Sequence, residues 1–456
     1  MLPLLLIVSL LPLAAFAVSR RFSRENEPWL RTAARVLLLF AIGLFIAAPF
    51  LTRRGVGTGE AYNYSLAVAD AVTQMRAGEF PPLAGQTEYA FNGRIHPLRN
   101  APYLFYLAGG LDLLSFRQLT FWQLQNLSLA LSLVAAVFAC YAGLRWGLGC
   151  GRPAALALAA LYGLSPGLLA ATSINLFMTV HAAVFVPLAL GACWRQTHRP
   201  AVGNDLVLAI TVAAAWLAHP PVAFCLTAVV VPVRAIILWR HPAWQVRAGL
   251  LGALVLGLAL AAFVFVSAAT LDSQVDYFRD EQVIHDNYVT SILSNLRLAF
   301  PGALLPVSAR ADALTDFQFG YAFWGLLLAA LVGLAVQWRR SRDEAACTRW
   351  LAACGLALAT LLLLAFTLPV PQLTPWLWDQ VPISVQTLIN VWPMQRTYLV
   401  AAAAAIFAAA GIWHSQPRTS RTSGVFVTLF VLALGWTGWE ARAFVQRNHD
   451  LLWSSD

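Results

Sequence analysis

Ala248-Gly249-Leu250-Leu251-Gly252-Ala253-Leu254-Val255-Leu256-Gly257-Leu258-Ala259-Leu260-Ala261-Ala262-Phe263-Val264-Phe265-Val266-Ser267-Ala268 runs from 248 to 268 without a charged side chain or a proline. A helix of that length spans about 30 Å, the thickness of a bilayer's hydrocarbon core. Runs of this kind recur along the chain. Of its 456 residues 59% are hydrophobic and 11% charged, and the mean hydropathy is +0.67. A soluble domain of this length would have too few charges to solvate so much apolar surface. The reading is an all-α, polytopic membrane protein, because a chain in lipid satisfies its backbone groups within its own helices.

Working outward from 248–268, hydropathy places spans near 2–18, 36–51, 119–144, 153–172, 177–194, 205–218, 220–239, 248–268, 320–337, 350–368, 394–413 and 424–439. That is about twelve transmembrane helices by window hydropathy, in a single integral membrane domain over 1–456 without a repeat of fixed period. The first run ends Ala15-Phe16-Ala17 but has no basic residues ahead of it; its arginines follow. The expectation is an uncleaved anchor rather than a signal peptide.

Every one of the 30 basic residues is Arg, as in GC-rich bacterial coding. The connections 19–35, 145–152, 195–199, 234–247, 339–349 and 414–423 are rich in arginine and poor in acids, so the positive-inside rule turns them to the cytoplasm. The external loops are then 52–118, 269–319 and 369–393. This alternation closes only if 101–116 does not cross but lies in the interface or re-enters. Trp and Tyr, 17 and 11 in number, suit aromatic belts at the two interfaces. The net charge of +9 is spread between spans rather than gathered on one face, which gives no footprint for nucleic acid. The six cysteines, 140, 150, 193, 225, 347 and 354, form no CxxC pair and indicate neither a zinc site nor a disulfide framework. P-loop, GxGxxG and GxSxG motifs are absent as well.

The first external loop carries the chemistry. From Glu60 to Arg76, Tyr62, Leu66, Ala69, Val72 and Met75 recur every three or four residues, the pattern of an amphipathic juxtamembrane helix lying on the bilayer. Glu60 falls in its first turn, where an acid is favoured by the helix dipole alone; ordinary capping is therefore one reading of it. Two histidines beyond the loop, His181 and His219, sit near helix ends without metal-ligand spacing, and satisfied polar residues is the plain reading of both. Ala218-His219-Pro220-Pro221 breaks a helix pair, which in a membrane requires protein or water to satisfy the freed backbone, so His219 is also expected to line a cavity. In the second external loop Asp276, Asp280 and His285 could meet on a helix around a divalent cation; solvated loop charge is the plainer reading.

Glu60-Ala61-Tyr62-Asn63-Tyr64, Met75-Arg76-Ala77-Gly78-Glu79-Phe80-Pro81-Pro82, His96-Pro97 and Pro102-Tyr103-Leu104-Phe105-Tyr106 together resemble the first external loop of GT-C-fold membrane glycosyltransferases. Trp392-Pro393-Met394-Gln395-Arg396 resembles a late phrase of bacterial members of the YfhO-like and 6-pyruvoyl-tetrahydropterin-synthase-related type. The resemblance implies a GT-C-like fold with juxtamembrane helices in the first loop. It also implies transfer of a sugar from a polyprenyl-phosphate-linked donor to an envelope glycan, lipid or protein, on the periplasmic face of a bacterial inner membrane. On that reading Glu60 is the candidate base for the acceptor's proton. Arg396 is the candidate for the donor phosphate, with Arg94 and Arg99 as weaker alternatives. His181, His219 and Tyr64 are candidates for binding substrate. The implied partners are the lipid-linked donor, membrane lipids and envelope-biosynthesis proteins, with no nucleic acid. No cofactor is assigned, a divalent cation being left open. One departure matters: the family's acid is usually Asp, often paired, and Gly59-Glu60 supplies a single Glu. That departure keeps open a non-catalytic relative that binds lipid-linked glycan. A transporter or flippase ranks last, since charges inside spans are few and matching halves are not visible.

Overall fold

The computed structural model describes residues 28–52, 54–55, 59–80, 102–173, 177–240, 244–272, 319–338, 344–367, 370–382, 393–414 and 420–453. Among these residues every regular element is helical. The first half holds α1 (Pro28–Ala47), α2 (Gly59–Arg76), α3 (Tyr103–Leu114), α4 (Phe121–Ala142), α5 (Arg152–Gly163), α6 (Pro166–Ser173), α7 (Phe177–Ala182) and α8 (Phe185–Arg195). The second holds α9 (Val202–Ala218), α10 (Pro220–Arg240), α11 (Trp244–Asp272), α12 (Tyr321–Trp338), α13 (Glu344–Ala365), α14 (Leu373–Asp379), α15 (Pro393–His414) and α16 (Ser420–Trp453). Six helical stretches, Phe121–Gly147 and Cys347–Ala365 among them, are long and apolar enough to cross a membrane, and five shorter apolar helices accompany them. The expected span at 2–18 lies outside the described residues, as do most of the acid-rich loop and residues 81–101. Each later expected span overlaps a helix.

α15 is the hub. From Leu399 to Ala405 every side chain is at most 1% exposed, and five consecutive residues, Ala401 to Ala405, are alanine. It packs on α13, α12, α10, α6 and α8. Lipid tails are as apolar as leucine, so membrane helices associate through close contact of small side chains rather than by escape from water. The same device joins α4 to α8. There the helix passes into a π-turn, Gly143–Gly147, and a Cβ on Gly191 would stand 2.8 Å from Gly143 Cα.

Two expected spans are broken at similar depth. The run 153–172 divides into α5 and α6 at Leu164-Ser165, ahead of Pro166, whose ring disfavours a helical residue before it and starts the next helix well. The run 177–194 divides into α7 and α8 at Ala183-Val184. The break leaves the Ala183 carbonyl needing a donor, and the Tyr162 hydroxyl supplies one at 2.8 Å. Hydropathy sees only the mean of such a run, so each read as one helix.

α2 and α3 pack together against the start of α4 at what we term the loop end of the bundle. α3 has 12 residues, about 18 Å of helix against about 30 Å of hydrocarbon, too short to cross. α4 opens with a capping box in which Thr120 and Gln123 satisfy each other's backbone N–H. Arg76 at the end of α2 grips Asp112 of α3 with two hydrogen bonds, Nε to Oδ2 at 2.9 Å and Nη2 to Oδ1 at 2.6 Å. Its guanidinium carbon also lies 5.4 Å from the Phe121 ring centroid. The hydrogen bonds to Asp112 hold the Arg76 guanidinium above its ordinary pKa. The expected apolar stripe of α2 differs from the buried face. Ser65, Ala67, Val68, Asp70, Ala71, Val72 and Gln74 are buried, while Leu66, Ala69 and Met75 are only partly so. A helix wedged between two others buries a wider arc than one resting on a surface. Polar residues on that arc are accommodated by partners, as where Ser65 donates to Gln125 of α4.

α3 ends in a Schellman motif: Arg117 N donates to Asp112 O at 2.8 Å and Phe116 N to Leu113 O at 3.1 Å. Glycine is the usual residue at its left-handed position, yet Phe116 stands there at φ 53°, and Arg117 after it is left-handed too, at φ 62°. Each side chain in that region costs about 1–2 kcal/mol.

Gly191→Ala is expected to lower stability by about 1–3 kcal/mol, because the new methyl meets backbone that has nowhere to move. Gly252→Ala on α11, where a Cβ meets nothing within 4 Å, is expected to be neutral or slightly stabilising. Thermal unfolding of both variants in one detergent checks the pair.

Candidate functional site

The described candidates divide into two groups, one at the loop end and one at the start of α15. Glu60 is the second residue of α2, in its first turn; only its backbone is described. One turn later Tyr64 is half-buried, its ring 6.3 Å from Phe177, and Phe177 meets Phe50 edge-on at 6.2 Å. A turn further along α7 lies His181, fully buried. Its Nδ1 shares a 2.7 Å hydrogen bond with Ser132 Oγ of α4. Its ring stands 5.8 Å from that of Tyr103, and Tyr103 in turn meets Phe185 at 5.3 Å. Burial raises the Tyr103 hydroxyl above its usual pKa. Tyr64 and His181 thus approach one aromatic seam formed where α2, α3 and α7 converge. The seam is polar below: Nε2 of His181 and the hydroxyls of Thr179 and Ser165 are buried without a hydrogen-bond partner among the described residues.

His219 is the extended residue, φ −164° and ψ 100°, that ends α9. Its N–H donates to Ala215 O at 2.8 Å and its carbonyl accepts from Ala223 N at 3.0 Å, so one residue closes α9 and opens α10. Pro220 and Pro221 then begin α10 at the one place in a helix where a missing N–H costs nothing. α9 packs against α7 and α3, which brings the elements bearing both histidines and Tyr103 together.

The second group surrounds Arg396, which lies in the first turn of α15, behind Pro393 at its first position; only the backbone of Arg396 is described. The next residue, Thr397, is buried, with its hydroxyl 4.0 Å from Cys225 Sγ. Thr397 lines a cavity of about 330 Å³ formed with Phe224, Cys225, Ala228 and Pro232 of α10, Leu358, Ala359 and Leu362 of α13, and Trp378 of α14. Leu358 and Leu362 are also exposed on the outer surface, so the cavity borders the apolar periphery of the bundle. The short helix α14 roofs it. Trp378 is pinned there by a 3.0 Å bond from its indole N–H to Phe366 O, and Thr374 accepts from Val370 N at 3.1 Å. Sequence reading passed over this cavity, because α14 lies in a segment taken as plain loop and the lining residues differ in no way from span residues. The one available signal was the proline in a span, Pro232. Its ring deletes a hydrogen bond and loosens the local packing.

Arg94 and Arg99 lie outside the described residues, as do His96 and the acidic loop at 273–318. Among the described residues no group of three or more His, Cys, Asp or Glu side chains is placed to hold a metal ion.

No protein-family model matches the chain, and no curated protein matches it. Among solved structures it is similar to ArnT from Cupriavidus metallidurans bound to undecaprenyl phosphate, with 14% identity and a TM-score of 0.46 over 91% of this chain and 76% of that one. It is also similar to the archaeal oligosaccharyltransferase AglB from Archaeoglobus fulgidus in complex with an inhibitory peptide and a dolichol-phosphate. There the identity is 14% and the TM-score 0.47, over 92% of this chain and 56% of that one. The chain therefore spans little more than half the length of the archaeal protein.

Ser132→Ala removes the hydrogen bond that His181 Nδ1 makes in the buried interior. The expected cost is about 1–3 kcal/mol, read as a lower melting temperature in detergent, whereas Ser115→Ala on the partly exposed end of α3 should cost well under half as much.

Proposed function

We propose that this protein is a membrane glycosyltransferase of the GT-C type, transferring a sugar from a polyprenyl-phosphate-linked donor on the periplasmic face of a bacterial inner membrane. The observation that carries the reading is the apolar cavity of about 330 Å³ that reaches Thr397, one residue from Arg396. A polyprenyl tail needs an apolar slot open to lipid, and its phosphate needs a cation and N–H donors at the slot's end. The first turn of α15 offers unpaired backbone N–H groups and the positive end of a helix dipole, and Arg396 adds a guanidinium able to grip phosphate with two bonds.

On this reading Arg396 neutralises the phosphate as it departs, which stabilises the developing charge. Glu60 removes the proton from the acceptor's attacking group, so that the acceptor oxygen or nitrogen bonds the anomeric carbon as the bond to phosphate breaks. Tyr64 and the seam around His181 and Tyr103 bind the substrates beside Glu60. His219 holds the α9–α10 corner behind that seam. A second reading, a non-catalytic relative that binds lipid-linked glycan, is favoured by one feature: Glu60 follows Gly59 where the resembled family places an acidic pair.

The test is sugar transfer by the purified chain in nanodiscs, with radiolabelled polyprenyl-phosphate sugars offered to a bacterial envelope extract. Glu60→Gln is expected to reduce the rate about 10²–10⁴-fold while donor lipid still binds. Arg396→Ala is expected to weaken donor binding at least about tenfold, the scale of a lost charge-assisted bond. Donor binding without transfer by the unaltered chain would favour the non-catalytic relative; absence of both would remove the proposal. Ala359→Trp, which fills the cavity from α13, should weaken binding of the long-chain donor while leaving a short, water-soluble phosphate analogue unaffected.

A further inference from the structure

We propose that the end of α3 is a wedge that inserts into the leaflet of the bilayer facing the loop end, through Leu113, Leu114 and Phe116. These side chains are 70%, 76% and 85% exposed. The opposite face of the same helix, Leu104, Phe105, Ala108 and Asp112, is buried against the protein. Phe116 is the decisive residue. It holds the left-handed position of the Schellman motif at φ 53°, where glycine would fit without strain, and its ring is left 85% exposed. A strained backbone carrying a ring into water is doubly unfavourable. The same ring among acyl chains recovers the burial that the protein withholds.

The occupant is lipid rather than a protein partner because of where the wedge stands. α4, an apolar stretch long enough to cross a membrane, begins at Phe121, five residues after Phe116. The exposed tip therefore continues the lipid-facing surface of the bundle. Arg117 follows Phe116 at once and is itself exposed, at the height where phospholipid headgroups begin. The wedge is also rigidly coupled: Asp112 on the turn before it is held by both Arg76 bonds, and Arg76 ends the helix whose first turn contains Glu60. Insertion thus sets the height of α2 over the bilayer. The inference concerns membrane contact and stands whether or not the chain transfers sugar.

The experiment places photoreactive p-benzoylphenylalanine at 113, at 116 and, as the control, at Thr73, an exposed position on α2. The full chain is irradiated in nanodiscs of phosphatidylethanolamine and phosphatidylglycerol and digested for mass spectrometry. Phospholipid adducts at 113 and 116 at least about tenfold above those at Thr73 are the expected result. Adducts no more abundant than at Thr73, or cross-links from 116 to another part of the chain or to a second polypeptide, would overturn the wedge. Phe116→Gly adds an independent reading. It suits the turn and removes a ring left 85% exposed, so its melting temperature in detergent should equal or exceed that of the unaltered chain, and a clear fall would mean that the ring packs within the protein.

Discussion

The bundle depends on how closely its helices can approach α15. In lipid there is no hydrophobic gain from bringing two apolar helices together, so the attraction is dispersion between surfaces in contact. The run Ala401 to Ala405 gives α15 a thin profile on all sides, and among the described residues α5 packs on it besides the five helices named above. Glycines extend the principle where α4 meets α8: Gly143, Gly147 and Gly191 let backbone rest on backbone. Larger side chains at these positions would push apart the helices that frame both the cavity at Thr397 and the seam at His181.

Once helices are that close, polar groups inside must find one another. Tyr162 bonds the carbonyl freed at the break between α7 and α8, Asn448 of α16 donates to Thr172 of α6 at 2.7 Å, and Gln337 of α12 donates to Ile412 O at 3.0 Å. Each bond ties one segment of the bundle to another and favours one register over others that would leave a polar group unpaired. The buried pair of Arg234 with Asp205, 2.6 Å apart, does the same for α9 and α10. A bundle with few charges spends those it has on fixing helices against one another.

The loop end unites these elements with the surface of the membrane. α2 and α3 form one block through Arg76 and Asp112, set against the first turns of α4. That block positions the first turn of α2 near the aromatic seam through Tyr64 and Phe177, while the first turn of α15 stands beside the apolar cavity that Thr397 lines.

The sequence by itself determined the class of the molecule and its polar landmarks. Hydropathy reports a local property, and uninterrupted apolar runs in lipid leave the backbone no alternative to helix, so the helices over the described runs from 36–51 onward and the start of α2 beside Glu60 were legible. The stretch 153–172 was equally legible as a span, but its division at Leu164-Ser165 was not, since a window average cannot register where one hydrogen bond fails. What tertiary structure alone decided is which faces meet. Ser65, Asp70 and Gln74 are buried because two other helices close over them, and the cavity beside Thr397 exists because Pro232, Ala359 and Trp378 come together from three helices far apart in the chain. Side-chain volume and contact between remote segments have no local signature, and those are the quantities that shape a binding site.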